Sequence, residues 1–164
     1  MSEVHARTAA HHLVALRVEN KAGVLSRIAG LFSRRGYNIV SLAVAPTDDV
    51  RFSRVSIVVD VESAPLQQIL DQLDKLINVV EITELGPQDA LETELMLATV
   101  ETSGRALDTL AEGLGAKVVD RSASRATVML ASSPEELDRF EEELRVFGIV
   151  ELQRTGRIGL RKLS

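Results

Sequence analysis

The sequence predicts an α+β protein made of two tandem domains, each with the element order βαββαβ. Three observations lead to this prediction: segments in which apolar and polar residues alternate, segments in which apolar residues recur every three or four positions, and the return of the same order in the second half of the 164 residues. This order is the ferredoxin-like arrangement, in which an antiparallel four-stranded sheet carries both helices on one face.

The first half gives the stronger pattern. Val14, Leu16 and Val18 alternate with polar or small residues, as in a strand with one buried face, and at residues 25–34 the period changes to that of an amphipathic helix. Pro46–Asp49 has the composition of a turn between strands. The remaining elements predicted in this half are strands at 39–45 and 54–61, a helix at 66–77 and a strand at 79–85.

The second half repeats this order more weakly. Ser133 is a suitable N-cap for a helix whose first residue is Pro134 and whose third is Glu136. The other predicted elements are strands at 95–100, 116–120, 126–131 and 149–152 and a helix at 107–114. The predicted division of the chain is a mobile N-terminal tail at 1–10, a domain at 11–86, a linker at 87–93 and a second domain at 94–164.

Composition argues against several classes of function. A net charge of −5 disfavours a general nucleic-acid binder, which needs a basic surface. The lack of cysteine excludes disulfides, thiol catalysis and zinc–thiolate sites, and it fits a reducing compartment.

No apolar run approaches the roughly 18 residues of a membrane span, and the polar start lacks the apolar core of a signal peptide. We therefore expect a cytoplasmic protein.

The tight turn Asn20–Gly23, between the first strand and the first helix, is the candidate ligand site. A helix N-terminus presents unpaired backbone N–H groups and a partial positive charge, and both favour an anion. Gly23 lets a carboxylate or phosphate approach the main chain, and Asn20 adds the donors and the acceptor that a zwitterionic amino acid needs. The local pattern also fits a helix that is merely capped by Asn20, so both interpretations remain open at this point.

Several runs of residues resemble one known family. They are Glu19–Arg27, Gly30–Ile39, Ser41–Thr47, Ser53–Arg54, Lys75–Val79, Arg154–Gly156 and Gly159–Leu160. The turn alone is typical of ACT domains, which accompany many amino-acid enzymes. The run Arg-Gly-Tyr-Asn-Ile followed by Val-Ala-Pro-Thr is much more specific, and it resembles the small regulatory subunit of acetolactate (acetohydroxyacid) synthase. The similarity extends over nearly the whole chain.

This resemblance implies a regulatory protein with no catalytic residues and no bound cofactor of its own. Such a subunit binds a catalytic large subunit, raises its activity and transmits feedback inhibition by a branched-chain amino acid, most often valine. Thiamine diphosphate and magnesium are expected in the catalytic partner. The resemblance further implies a homodimer of ACT domains whose effector sites are shared between protomers. The effector-binding residues implied are Asn20, Ala22, Gly23, Val24 and Leu25 of one protomer with Asn38 and Ile39 of the other.

Three alternative functions are weighed against this one. The nearest is an ACT-type amino-acid sensor that acts on a different metabolic enzyme. An independent enzyme is disfavoured because no G-x-S-x-G, P-loop or G-x-G-x-x-G motif and no metal-ligand cluster occurs. An RNA-recognition module shares the element order, but it stacks bases on aromatic residues of the sheet, and the third strand offers none at residues 55–61.

Other charged clusters have simpler interpretations. The histidines at 5, 11 and 12 fit a solvated tail better than a metal site, since no cysteine accompanies them. Asp48 and Asp49 are interpreted as turn residues after Pro46 and not as an acid–base pair. Glu141–Glu143 is interpreted as a solvated helix face.

Overall fold

The structure, a computed structural model, describes residues 11–60 and 65–163. The predicted tail at 1–10 lies outside these ranges. The described chain divides into two compact units: the first comprises the residues up to Glu92 together with those from Arg157 onwards, and the second is Thr93–Gly156. No helix among the described residues is both long and apolar enough to cross a membrane.

The first unit contains a four-stranded antiparallel sheet with the strand order β2-β3-β1-β4. Its elements are β1 (His11–Glu19), α1 (Val24–Arg35), β2 (Ile39–Pro46), β3 (Phe52–Asp60), α2 (Leu66–Asp74) and β4 (Val79–Leu85). The predicted βαββαβ order is confirmed. The second helix is shorter than its apolar spacing predicted, because Leu76 and Ile77 lie in the turn before β4, where Ile77 is 89% exposed.

The core of this unit lies between the two helices and one face of the sheet. Val14 and Leu16 of β1 stand opposite Ile57 and Val55 of β3, so their side chains share a face. Burial of each such side chain contributes about 1.5–3 kcal/mol. The helices add Val24, Ile28, Leu31, Phe32, Ile69 and Leu73 to this cluster.

The opposite face of the sheet is partly covered by the end of the chain. Leu13, Val58 and Leu85 are buried there in a second apolar cluster. Strand β9 (Ile158–Arg161) runs beside them and pairs with β5 (Ala90–Val100). A Cβ atom built on Gly159 would stand 2.5 Å from Leu13 Cδ2 and 3.4 Å from Leu85 Cδ1. Only glycine therefore lets the main chain lie this close to the cluster.

The division of the chain thus differs from the predicted ranges of 87–93 for a linker and 94–164 for a second domain. Ala90–Glu92 already belong to β5, and the described residues from 157 onwards cluster with the first unit. A four-residue strand is too short to show a period, so nothing local in the sequence indicates which sheet it covers.

The second unit repeats the topology of the first. Its sheet has the order β6-β7-β5-β8, in which each strand takes the place of its counterpart in the first unit. The elements that follow β5 are α3 (Arg105–Leu114), β6 (Lys117–Arg121), β7 (Ala126–Ser132), α4 (Pro134–Leu144) and β8 (Ile149–Arg154). The predicted cap of α4 is confirmed, because the Ser133 side chain accepts a hydrogen bond from the Glu136 N–H.

A buried ion cluster joins β8 to the rest of this unit. The Arg154 guanidinium lies 2.6 Å from Asp138, 3.5 Å from Glu94 and 3.5 Å from Glu141. Glu141 is only 8% exposed. The interpretation of Glu141–Glu143 as a solvated helix face is therefore wrong for Glu141, because the inward side of α4 places that carboxylate beside a buried cation.

Substitution Gly159→Ala should lower the free energy of unfolding of the first unit by about 1–3 kcal/mol, because the new methyl group overpacks the Leu13 cluster. The fluorescence of Tyr37, the single tyrosine of the chain and a neighbour of the first core, reports this unfolding in urea. Gly86→Ala is the matched control in the same unit. The nearest atom that its Cβ would meet is Asp89 Oδ2 at 3.9 Å, an ordinary contact, so the free energy of unfolding should change by no more than about 0.5 kcal/mol.

Substitution Arg154→Met should destabilise the second unit by about 3–5 kcal/mol, because it leaves buried carboxylates without their shared cation. Native-state hydrogen exchange of the β7 and β8 amides measures the change. Arg145 also contacts Glu141 but its side chain is half exposed. Arg145→Met should therefore cost no more than about 1 kcal/mol, and equal effects of the two substitutions would contradict the role given to Arg154.

Candidate functional site

The turn between β1 and α1 is shaped by Gly23. Gly23 adopts φ 85° and ψ −9°, the left-handed region that favours glycine, and it occupies the N-cap position of α1 without any side-chain cap. Val24 follows directly and is 5% exposed, so the first residue of the helix anchors the turn in the core. The turn itself is closed by the Lys21 N–H, which donates to the Glu19 carbonyl at 2.9 Å.

Asn20 does not cap the helix. Its side-chain Nδ2 donates to the Val50 carbonyl at 2.9 Å, and its backbone N–H donates to the Arg51 carbonyl at 2.7 Å. These two bonds hold the turn against the loop between β2 and β3. Asn20 Oδ1 has no partner within the described ranges, and it remains an exposed acceptor beside the turn.

The first turn of α1 leaves backbone donors unused. The Val24 N–H donates to Lys21 and the Arg27 N–H donates to Gly23. Between them, the N–H groups of Leu25 and Ser26 have no acceptor in the part of the chain that the structure describes. These donors, the helix dipole and the nearby Asn20 oxygen together form a small polar site with both anion-binding and cation-accepting groups.

The loop that receives Asn20 is ordered by Asp49. Thr47 Oγ1 donates to the Asp49 carbonyl at 2.8 Å. The Asp49 carboxylate accepts hydrogen bonds from the backbone N–H of Arg51 and from Nε and Nη2 of its guanidinium. Hydrogen bonding to Arg51 lowers the pKa of Asp49 from 3.8 to about 2. Asp49 is thus a turn residue, as predicted, and the local ion pair fixes the carbonyl groups to which Asn20 donates.

The structure does not bring Asn38 and Ile39 to this turn within one chain. Ile39 pairs with Val59, whereas Glu19 at the end of β1 pairs with Phe52. These partners are seven residues apart on β3, which corresponds to about 23 Å along the sheet. Asn38 is exposed, and its carbonyl accepts the Asp60 N–H at 3.3 Å. The two groups of predicted effector-binding residues therefore lie at opposite ends of the first sheet.

Two groups that hydrogen-bond to the turn or its flanks were not predicted from the sequence. They are the carbonyl of Val50 and the side chain of Asn78, which precedes β4. Val50 offers only a main-chain acceptor, so its side chain gives no signal. Asn78 stood within a run that resembled the family, but its contacts depend on the pairing of β4 with β1. No group of three or more His, Cys, Asp and Glu residues within the described ranges could hold a metal ion.

The repeated sheet order and the glycine turn define the class of protein as one built on an ACT domain, and comparison with known families gives the particular family. The model described as "AHAS small subunit-like ACT domain" matches residues 14–81. A second model, described as "Small subunit of acetolactate synthase", matches residues 93–163. Together these matches cover most of the chain. The chain belongs to the family of acetolactate synthase small subunits.

Individual relatives agree with this assignment. The chain is 41% identical to the acetolactate synthase small subunit of Mycolicibacterium smegmatis, over 88% of this chain and 87% of the relative. It is also 41% identical to the acetolactate synthase isozyme 3 small subunit of Escherichia coli, over 90% and 93%. The crystal structure of the small subunit from Thermotoga maritima superposes with a TM-score of 0.87 at 30% identity and covers 94% of this chain and 98% of that one. This membership confirms the prediction of a regulatory small subunit that is not itself the catalyst.

The pH dependence of the loop tests the role of Asp49. Because its pKa is lowered in the folded protein, the Asp49–Arg51 pair contributes stability above about pH 4 and loses it as the pH falls through about 2. An NMR titration of the Asp49 carboxyl carbon should show this midpoint. In Arg51→Ala the midpoint should return towards 3.8. A wild-type midpoint near 3.8 would contradict the ordering role of this ion pair.

Proposed function

We propose that this chain binds a branched-chain amino acid at Asn20, Ala22, Gly23, Val24 and Leu25 and passes this signal to the catalytic large subunit of an acetolactate synthase. The proposal rests on two kinds of group that one short turn presents: the N–H groups of Leu25 and Ser26, which have no acceptor among the described residues, and the Asn20 oxygen, which has no donor there. An amino acid presents the complementary pair, a carboxylate for the N–H groups and an ammonium for the Asn20 oxygen.

Magnitudes are consistent with the sensing of a metabolite pool. Each charge-assisted hydrogen bond contributes about 1.5–3 kcal/mol, and burial of a branched aliphatic side chain adds about 1.5–3 kcal/mol. Association costs at least about 4 kcal/mol. With three such bonds, to two N–H groups and the Asn20 oxygen, the net free energy of binding is about 2–8 kcal/mol, which corresponds to dissociation constants from tens of millimolar to micromolar. Discrimination between valine, leucine and isoleucine should be modest, because one methylene contributes only about 1–3 kcal/mol.

The site is shared between two protomers in this proposal. Strand β2 is an edge strand of the first sheet, and Val44 on it is 43% exposed. Unpaired edge strands are suited to pairing with a second copy. A twofold axis that pairs two β2 edges reverses the strand direction, so Asn38 and Ile39 of one protomer approach the Asn20 turn of its partner. The separation of these residues within one chain supports a site of this kind.

Regulation follows from the shared site. An effector that binds between protomers favours the arrangement of the dimer in which both halves of the site meet, and the large subunit responds to the difference between arrangements. In this proposal thiamine diphosphate, magnesium and the reaction itself belong to the large subunit, and we expect the complex in the cytoplasm.

Substitution Asn20→Ala should weaken valine binding by roughly 10-fold to 150-fold, which corresponds to the loss of one charge-assisted hydrogen bond. Isothermal titration calorimetry measures the affinity. Gln67→Ala, which removes an exposed amide from α2, is the control and should bind like the wild type. An unchanged affinity in Asn20→Ala would show that the amino acid does not bind at this turn.

The sharing of the site can be tested by complementation. Asn20→Ala and Asn38→Ala homodimers should both bind valine weakly, whereas a mixed dimer of the two variants contains one site with neither substitution. Each mixed dimer should therefore regain one of its two sites, and random mixing in equal amounts, which makes about half of the dimers mixed, should restore about a quarter of the high-affinity binding. No restoration, with mixed dimers verified by native mass spectrometry, would indicate a site within a single chain.

The partner is tested with the thiamine-dependent large subunit. Adding this chain should raise the rate of acetolactate formation, and valine, leucine or isoleucine should then lower it. An amino acid that binds without any effect on acetolactate synthase would favour the alternative, an ACT-type sensor of a different metabolic enzyme.

A further inference from the structure

Asn78 joins the two flanks of the turn that carries the candidate site. Its Nδ2 donates to Glu19 Oε2 at 2.5 Å, and its Oδ1 accepts from Arg27 Nη1 at 2.7 Å. Its carbonyl also accepts the Glu19 N–H at 3.0 Å. Glu19 is the last residue of β1 and Arg27 lies in the first turn of α1, so a single side chain connects the residues on both sides of Asn20–Gly23.

The chemistry of this connection requires a side chain that donates and accepts at the same time. The amide of asparagine does both, whereas an aspartate can only accept and an aliphatic residue can do neither.

Glu19 receives a further bond from Lys21 Nζ at 3.1 Å. The hydrogen bond from Asn78 is the main cause that lowers the pKa of Glu19, followed by the bond from Lys21. The carboxylate thus stays ionised as the acceptor for both groups.

The position of Asn78 separates it from the effector. Asn78 precedes β4, which forms one edge of the sheet, whereas the partner protomer would approach along β2 at the other edge. Asn78, Val24 and Arg27 line a cleft of about 220 Å³ on the β4 side of α1. The side-chain hydrogen bonds of Asn78 reach the two flanks of the turn, at Glu19 and at Arg27.

We infer that Asn78 is a positioning residue for the effector site: its amide clamps Glu19 to Arg27, and this clamp orients Asn20 and the free N–H groups of Leu25 and Ser26. The inference rests on the proposed function, because it assigns Asn78 a role in the affinity of that same site. Without the clamp, the strand end and the helix start can move apart, and the donors and the acceptor no longer match one zwitterion.

The test compares two variants of this clamp with one control on α2. Asn78→Asp keeps the shape and the acceptor for Arg27 but removes the donor to Glu19, so valine affinity should fall by about tenfold. Asn78→Asp combined with Glu19→Gln reverses the donor and the acceptor across the same contact and should recover most of that loss. Gln67→Glu removes an amide donor that faces the Asp71 carboxylate at 2.8 Å on exposed α2, and it should leave the affinity unchanged.

Two measurements separate positioning from general stability. Calorimetry gives the valine affinity, and Tyr37 fluorescence in urea gives the unfolding midpoint of the same proteins. Recovery of affinity in the double variant, at a midpoint that changes little, is the expected result. An unchanged affinity in Asn78→Asp, or a loss that the double variant does not recover, would overturn the inference.

Parallel titration of Asn20→Ala keeps the two claims distinct. Normal binding by the wild type, weak binding by Asn20→Ala and normal binding by Asn78→Asp would overturn the role of Asn78 and leave the proposed site intact. Absence of valine binding to the wild type, or normal binding by Asn20→Ala, would overturn the proposed site and the inference together.

Discussion

The tether from Asn20 to the Val50 and Arg51 carbonyls is the interaction on which the candidate site depends. The amide nitrogen of Asn20 donates within the chain, and its amide oxygen has no partner among the described residues. Gly23 then starts the helix without a capping side chain, which leaves two donors of the first turn available. A conventional cap would have consumed one of those donors and lowered the capacity of the turn to hold a carboxylate.

The second unit shows what the same topology becomes without this arrangement. Its first helix, α3, also begins after a glycine, Gly104, but that residue is extended, with φ −84°. Arg121 donates to the Ser103 carbonyl and to Asp108 there, so a side chain of the unit itself occupies the surroundings of the turn. An acidic residue in the first helical turn also opposes a bound anion. Repetition of the fold therefore does not repeat the site.

Elements that a local period or a local motif specifies could be predicted from the sequence. The alternation around Val14–Val18, the helix after Gly23 and the cap at Ser133 were found in the structure as predicted. The apolar stripe of that helix was predicted to contain Leu25 and Ala29, which are exposed; its buried residues are Val24, Ile28, Leu31 and Phe32. The burial of Glu141 was not predicted, because a run of three glutamates is read as solvated unless the position of Arg154 is known. Such a contact joins residues that are far apart in the sequence, and no local pattern records it.

The order of the elements, the family of the chain and the turn at Asn20–Gly23 follow from the amino-acid sequence alone, because each depends on residues that are neighbours in the chain. Folding sets which groups of that turn remain free, connects its two flanks through Asn78 and returns β9 to the first sheet. It also places Asn38 at the far end of that sheet. These features depend on strand pairing, which determines distances between residues that the sequence keeps apart.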